Sequence, residues 1–286
     1  MSALSRIGVL GAGQMGSGIA QVCLVQGFSV VLNDVSDAVL SRAESGIGKG
    51  LEILVRKEKI TAADREAMHA RLTRSTNVSE FASCDFVVEA ATENEELKLS
   101  LFRTLDAVAR PGCILATNTS SISITRIAAA TRRPGSVVGM HFMNPVPLMK
   151  LVEVIRGLQT TQETFETTME LARRLGKEPV PASDFPGFVA NRILMPMVNE
   201  AVYALMEGVG AAEDIDAILR MGANHPMGPL ALADLIGLDT VLEVMNVLHR
   251  GLGDPKYRPC PLLRKYVDAG YLGKKVGRGF YTYEKG

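Results

Sequence analysis

Of the four histidines in the chain, His141 stands where a proton-transfer group has a use. It closes a short apolar run, 137–140, that reads as a strand, and open α/β sheets hold their ligands outside the carboxyl ends of strands. Twelve residues on, beyond Asn144-Pro145-Val146-Pro147, Glu153 lies in a second apolar run, 150–155. Two prolines force a turn between the runs, so the two segments can come together with a carboxylate beside the imidazole. Such a partner fixes the tautomer of the ring and stabilises its protonated form, as a general base or acid near neutral pH requires. The plainer alternative is a hydrogen-bonded core histidine and a strand-end surface glutamate. His69 and His249 fall in helical segments and His225 precedes Pro226 in a turn, so these three read as surface, packing or structural residues.

Two further polar groups stand out. Ser120 follows a strand, 113–116, in the run Thr117-Asn118-Thr119-Ser120-Ser121. Its hydroxyl could hydrogen-bond a substrate oxygen, or the whole run could cap the next helix. Asn191 lies near the start of a long apolar helix, where an amide serves equally as a substrate contact or a cap-region residue.

These groups need a frame, and the stretch from Arg6 to Asp34 supplies it. An apolar run ends in Gly11-Ala12-Gly13-Gln14-Met15-Gly16 and passes into an amphipathic segment; a second β-rich run, 28–32, then stops at Asn33-Asp34. Strand, glycine turn, helix, strand and acid together form the dinucleotide-binding fingerprint. Gly11 permits the sharp turn, Gly13 lets the backbone approach a pyrophosphate, and Gly16 lets the helix lie close on the strands. The helix start offers amides and positive dipole charge to the phosphates. Asp34 is placed to accept from both ribose hydroxyls and to repel a 2′-phosphate, so the expected cofactor is NAD. Glu93 and Lys98 follow another strand, 84–90, and are placed to approach the nicotinamide half; helix capping and surface charge are the alternative.

The expected fold class is α/β: a Rossmann-type, doubly wound, mostly parallel sheet followed by an all-helical carboxyl-terminal domain. Strand signals vanish after Ala182-Ser183-Asp184-Phe185-Pro186-Gly187, which sets the domains at 1–183 and 184–286. Helices are expected over 188–206, 213–221, 230–248 and 262–269, too apolar to be solvated all round, and so packed on each other and on a second subunit.

Lys plus Arg equals Asp plus Glu at 31 each, so no overall charge draws the chain to nucleic acid or membrane. No apolar run reaches the roughly 20 residues that span a bilayer. MSALSR runs straight into the first strand, from which no signal peptide is expected, and the scattered Cys23, Cys84, Cys113 and Cys260 suit neither a metal site nor disulfides. Buried thiols in a cytoplasmic protein are the expectation. Lys49, Arg56, Lys57 and Lys59 cluster near the end of the helix after Asp34; they form either a solvated basic face or a landing site for a phosphate-bearing substrate.

GAGQMG with its acid, TNTSSISIT, HFMNPVPLMKLVEV, DFPGFVANRI, GANHPMGPLALADLIGLD and GKKVGRGFY together resemble the L-3-hydroxyacyl-CoA dehydrogenase family over essentially the whole chain. With no hydratase portion, the chain is most similar to the family's stand-alone bacterial members that act on 3-hydroxybutyryl-CoA. The resemblance implies NAD-dependent oxidation of a short-chain (S)-3-hydroxyacyl-CoA, and the reverse reduction. It implies His141 as general base with Glu153 as its electrostatic partner, Ser120 on the substrate's 3-oxygen near the nicotinamide, and Asn191 positioning the substrate. Glu93, Lys98, Asn118 and Lys275 become further cofactor contacts, and Lys57 a holder of coenzyme A phosphate. Where related enzymes can carry a serine seven positions before that lysine, this chain has Gly50, so Lys49 or Arg56 is expected to substitute. A cytoplasmic homodimer joined through the helical domain is also implied.

Two other readings stand beside this one. A β-hydroxyacid or 6-phosphogluconate-type dehydrogenase shares the domain plan but uses a lysine where this chain has Asn191-Arg192. A catalytically weak relative recruited as an NAD-binding or structural protein would keep the fold and lose turnover; a regulator lacks support, since neither a helix-turn-helix nor a basic stripe is present.

Overall fold

The computed structural model describes residues 4–284. The first part of the chain runs β1 (Arg6–Leu10), α1 (Gln14–Val25), β2 (Ser29–Asn33), α2 (Asp37–Arg56), α3 (Ala62–His69), β3 (Leu72–Ser75), β4 (Phe86–Glu89), α4 (Glu95–Val108), β5 (Ile114–Thr117), α5 (Ile124–Ala129), β6 (Val137–Phe142), β7 (Leu151–Arg156), α6 (Gln162–Arg174) and β8 (Glu178–Ser183). The second part is helical: α7 (Ala190–Met206), α8 (Ala212–Gly222), α9 (Pro229–Ile236), α10 (Leu238–Leu252) and α11 (Pro261–Asp268). Two compact units divide between Asp184 and Phe185. Asp184 is tied into the first, accepting from Ser123 Oγ and from the Ile124 and Thr125 amides at the start of α5.

One sheet carries the first unit, in the order β3-β2-β1-β4-β5-β6-β7-β8. The strands from β3 to β6 are parallel, β7 is antiparallel to β6, and β8 is parallel to β7. Strand order reverses direction between β1 and β4, which opens a crevice at the carboxyl ends of those strands. The strands read as near-continuous apolar runs because the parallel part is covered on both faces: every residue of β4, β5 and β6 is buried. Ile7, Val9, Ile19, Cys23, Leu32, Phe86, Val88, Met140 and Val154 belong to one core. β8, with two prolines, forms the sheet edge, where a missing donor costs no ladder bond.

The second unit has its own core, built from residues such as Met195, Val198, Val202, Leu230, Val241, Met245, Leu248 and Leu263. The helix expected over 230–248 is two helices. They meet at Gly237, whose φ of 103° an L-side chain resists, so the apolar pattern continues through a break that only glycine permits. Among the described residues, no helix is long and apolar enough to cross a membrane.

Candidate active site

The hairpin of β6 and β7 sets His141 directly opposite Glu153 in the antiparallel register. Facing residues in such a pair have Cβ atoms roughly 5 Å apart, within reach of a carboxylate and an imidazole. His141 Nδ1 and Glu153 Oε2 lie 2.8 Å apart, and both residues are buried, at 8% and 3% exposure. With Nδ1–H donating to the carboxylate, Nε2 becomes the proton-accepting nitrogen, and an imidazolium formed there would face a fixed negative charge. Asn118, at the end of β5, steadies the same strand end: its Oδ1 accepts from the Phe142 amide at 2.9 Å. In this structure that asparagine's oxygen serves the strand bearing the histidine.

The glycine turn lies at the carboxyl end of β1. Gly11 has φ 97°, and a Cβ there would meet the Ala90 carbonyl at 2.7 Å. A Cβ on Gly16 would lie 1.8 Å from the Gly11 carbonyl oxygen, so the helix cannot approach the strand with any side chain at that position. Gly13 is exposed and faces open space, and it caps α1 without a side-chain hydrogen bond. The first amides of α1 therefore face a side-chain-free cradle, which fits a pyrophosphate. Asp34 Oδ2 accepts from the Ala12 amide at 2.9 Å and Oδ1 from the Ser36 amide at 3.1 Å, fixing the acid beside that cradle. Each oxygen keeps a second lone pair for a ribose hydroxyl. Gln14 reaches from the head of α1 to Asn144, donating from Nε2 to Oδ1 at 3.1 Å.

A third cluster links β4, α4 and the loop after β5. Lys98 is 1% exposed; its Nζ donates to Glu89 Oε1 at 2.7 Å and lies 3.5 Å from Glu93 Oε2. Glu89 is fully buried and also accepts from Thr117 Oγ1 and the Ala91 amide. Glu93 Oε1 gathers the loop: Thr119 Oγ1 donates to it at 2.6 Å, the Ser120 amide at 2.8 Å, and the Ser120 and Ser121 hydroxyls at 3.1 and 3.0 Å. Desolvation pushes the Glu93 carboxyl up, but Lys98 and these hydroxyls and amides outweigh it and hold it below the usual glutamate value. Glu93 orients Ser120, and Lys98 braces Glu93 from the buried side.

Residues 6–185 match the family model described as the 3-hydroxyacyl-CoA dehydrogenase NAD binding domain, and residues 187–283 match its C-terminal domain. The chain belongs to the 3-hydroxyacyl-CoA dehydrogenase family. It is 56% identical to a probable 3-hydroxybutyryl-CoA dehydrogenase of Deinococcus radiodurans, over 97% of this chain and all of that one. It is 54% identical to the 3-hydroxybutyryl-CoA dehydrogenase of Bradyrhizobium diazoefficiens, over 98% of this chain and 96% of that one. Among solved structures, the (S)-3-hydroxybutyryl-CoA dehydrogenase of Ralstonia eutropha superimposes with a TM-score of 0.96 at 50% identity, covering 99% of this chain and all of that one.

For a member of this family the remaining residues fall as follows. Lys49, Arg56 and Lys57 are exposed at the carboxyl end of α2, with Arg56 Nε 3.6 Å from Glu52. Gly50 faces α1, where a Cβ would meet the Gln21 carboxamide at 2.5 Å, so that amide occupies the room a serine side chain would need. In the second unit, Asn191 lies one residue inside α7, and Lys275 Nζ is held by both oxygens of Asp239 at 2.6 and 2.7 Å. The motif around Gly279 has a packing explanation. Asp234 accepts from the Phe280 and Tyr281 amides and the Tyr283 hydroxyl, and a Cβ on Gly279 would lie 1.9 Å from its Oδ1. Asn144 and Lys177 are not evident from the sequence; the one signal for Asn144 is an amide set between His141 and Pro145, in the turn that joins the strands of His141 and Glu153.

Proposed function

We propose that this chain interconverts short-chain (S)-3-hydroxyacyl-CoA and 3-oxoacyl-CoA, with 3-hydroxybutyryl-CoA and acetoacetyl-CoA as the pair it handles best. The observation that carries this reading is the His141–Glu153 pair, buried opposite one another in the same sheet whose first strand bears the glycine turn. Gly11, Gly13, Gln14, Met15, Gly16 and Asp34 hold the dinucleotide, with Glu93, Lys98, Asn118 and Lys275 supporting it. NAD, when bound, supplies the hydride acceptor for carbon 3. His141 Nε2 takes the proton of the 3-hydroxyl, and Glu153 stabilises the imidazolium that results. In reduction the same protonated ring returns its proton to the forming alkoxide. Ser120 steadies the 3-oxygen, its hydroxyl direction set by Glu93, and Asn191 contacts the substrate. Lys49, Arg56 and Lys57 meet the phosphates of coenzyme A.

The same reading takes the protein as a cytoplasmic homodimer. Its four cysteines are free and buried, as suits a reducing compartment. Ile193, Val209, Ile218 and Met221 stand more than half exposed in the helical unit, apolar surface that a second copy would cover. The reading is tested by following NADH absorbance with acetoacetyl-CoA. Oxidation of NADH by the wild type supports it; its absence would favour a recruited NAD-binding protein. A preference for NADPH would contradict the role given to Asp34.

A further inference from the structure

The ladder between β6 and β7 ends at Phe142 opposite Val152, so the turn between them must be held by something other than strand pairing. Pro145 O accepts from the Leu148 and Met149 amides, which closes the turn on itself but anchors it to nothing. The anchor comes from beneath. Lys177, the residue before β8, is 8% exposed, and its Nζ donates to Val146 O at 2.5 Å and Met149 O at 2.9 Å. Among the described residues no carboxylate pairs with it, so a full charge is buried on two carbonyl dipoles alone, an expensive arrangement to keep for packing. Desolvation holds this ammonium below the usual lysine range.

The turn so gripped is seated on the cofactor helix. A Cβ on Gly18 of α1 would meet Val146 Cβ at 2.9 Å, so the glycine exists to let the turn down onto the helix. One residue before Pro145, Asn144 accepts from Gln14 at the head of that helix. The same short segment thus touches the glycine-turn helix at two points, is pinned by Lys177 from below, and continues into the strands of His141 and Glu153.

We propose that Lys177 is a positioning residue for dinucleotide binding, fixing the 145–149 turn so that Asn144 stays against Gln14 at the glycine turn. This rests on the reading of that turn as the NAD site. It is tested on the full chain by titrating NADH fluorescence without acyl-CoA, with Tm measured alongside. Lys177→Met is expected to raise the NADH Kd about tenfold, the scale of a lost hydrogen bond to a charged group. Because the lysine acts through Asn144, the double variant with Asn144→Ala is expected to bind NADH within about twofold of Asn144→Ala alone. A folded Lys177→Met protein with lowered Tm and unchanged NADH affinity overturns the proposal, as do additive losses in the double variant. Should Lys177→Met not fold, Lys177→Arg, which keeps the charge but displaces its donors, is expected to weaken NADH binding about threefold on the same scale, and unchanged affinity there overturns it. Failure of the wild type to reduce acetoacetyl-CoA would count against the proposed reaction and leave these binding results to decide the role of Lys177.

Discussion

In the first unit, carboxylates face cations or an imidazole: the buried Glu89 and the exposed Glu93 meet Lys98, the buried Glu153 meets His141, the buried Asp106 meets Arg132 and Arg133, and the buried Asp85 meets Arg110. In the second unit, Asp216 and Asp234 are equally buried but are held by amides and tyrosine hydroxyls. Among the described residues no cation pairs with either. The pKa directions divide accordingly. Desolvation raises Asp85 and Asp106, but backbone amides and arginines outweigh it and leave both below the usual aspartate value. For Asp234 desolvation wins, with Asp216 adding to it, and the group ends above that value despite the Tyr281 and Phe280 amides. A carboxylate beside a cation or an imidazole can act on a bound group. One held by amides and hydroxyls fastens the segment around 280 to α8 and α9.

This contrast makes the largest effect fall on chemistry. Glu153→Gln keeps the shape and removes the charge; it is expected to lower kcat about a hundredfold, within the range for general acid–base catalysis, while NADH affinity measured by fluorescence stays near the wild-type value. A large loss of affinity with kcat kept would move Glu153 from the chemistry to the fold. Asp234→Asn should do the reverse. The Phe280 and Tyr281 amides donate to different oxygens of Asp234, and an asparagine would put an NH2 donor in place of one of them, so the variant is expected to lose about 1–3 kcal/mol in denaturant titration, with turnover per folded molecule nearly unchanged.

The pH dependence of stability sharpens the same contrast. A lowered folded pKa contributes stability above the unfolded value of about 4 and loses it as pH falls through the folded value. The stability lost in Asp85→Asn or Asp106→Asn should therefore be large at neutral pH and shrink below about pH 4. A raised folded pKa works the other way: the contribution is complete below about pH 4 and fades as pH rises through the folded value. The gap in Tm between wild type and Asp234→Asn should thus narrow as pH rises. Two series with the same slope would erase the distinction between the units. The smallest effect is expected at the basic end of α2, where Lys57→Gln should raise KM for acetoacetyl-CoA a few-fold at low salt, and the difference should vanish near 1 M salt, where screening is nearly complete.

The first unit was more legible than the second for a physical reason. Parallel strands buried on both faces leave unbroken apolar runs, and glycines forced by close approach leave a fixed spacing, so β1, the turn, α1 and Asp34 stand out in the letters. The hairpin was legible because two prolines demand a turn, and a turn there makes His141 and Glu153 neighbours. Contacts that depend on tertiary register left no mark. Lys98 reads either as a group approaching the nicotinamide half or as a surface charge, and neither reading shows that it is buried against Glu89, which reads as one more strand residue. Nothing in the letters marks Lys177, although it is 8% exposed in the fold. In the helical unit the apolar period runs straight across Gly237, and only its positive φ separates α9 from α10. The motif around Gly279 carries a signal that looks functional and answers to the bulk of Asp234.

The proposed reaction depends on the imidazole held by Glu153 moving the proton. His141→Gln, assayed with acetoacetyl-CoA and NADH alongside the wild type, tests it most directly. The wild type is expected to oxidise NADH, and the variant's kcat is expected to fall at least about a hundredfold while it binds NADH as the wild type does. Near-normal turnover in the variant would contradict it.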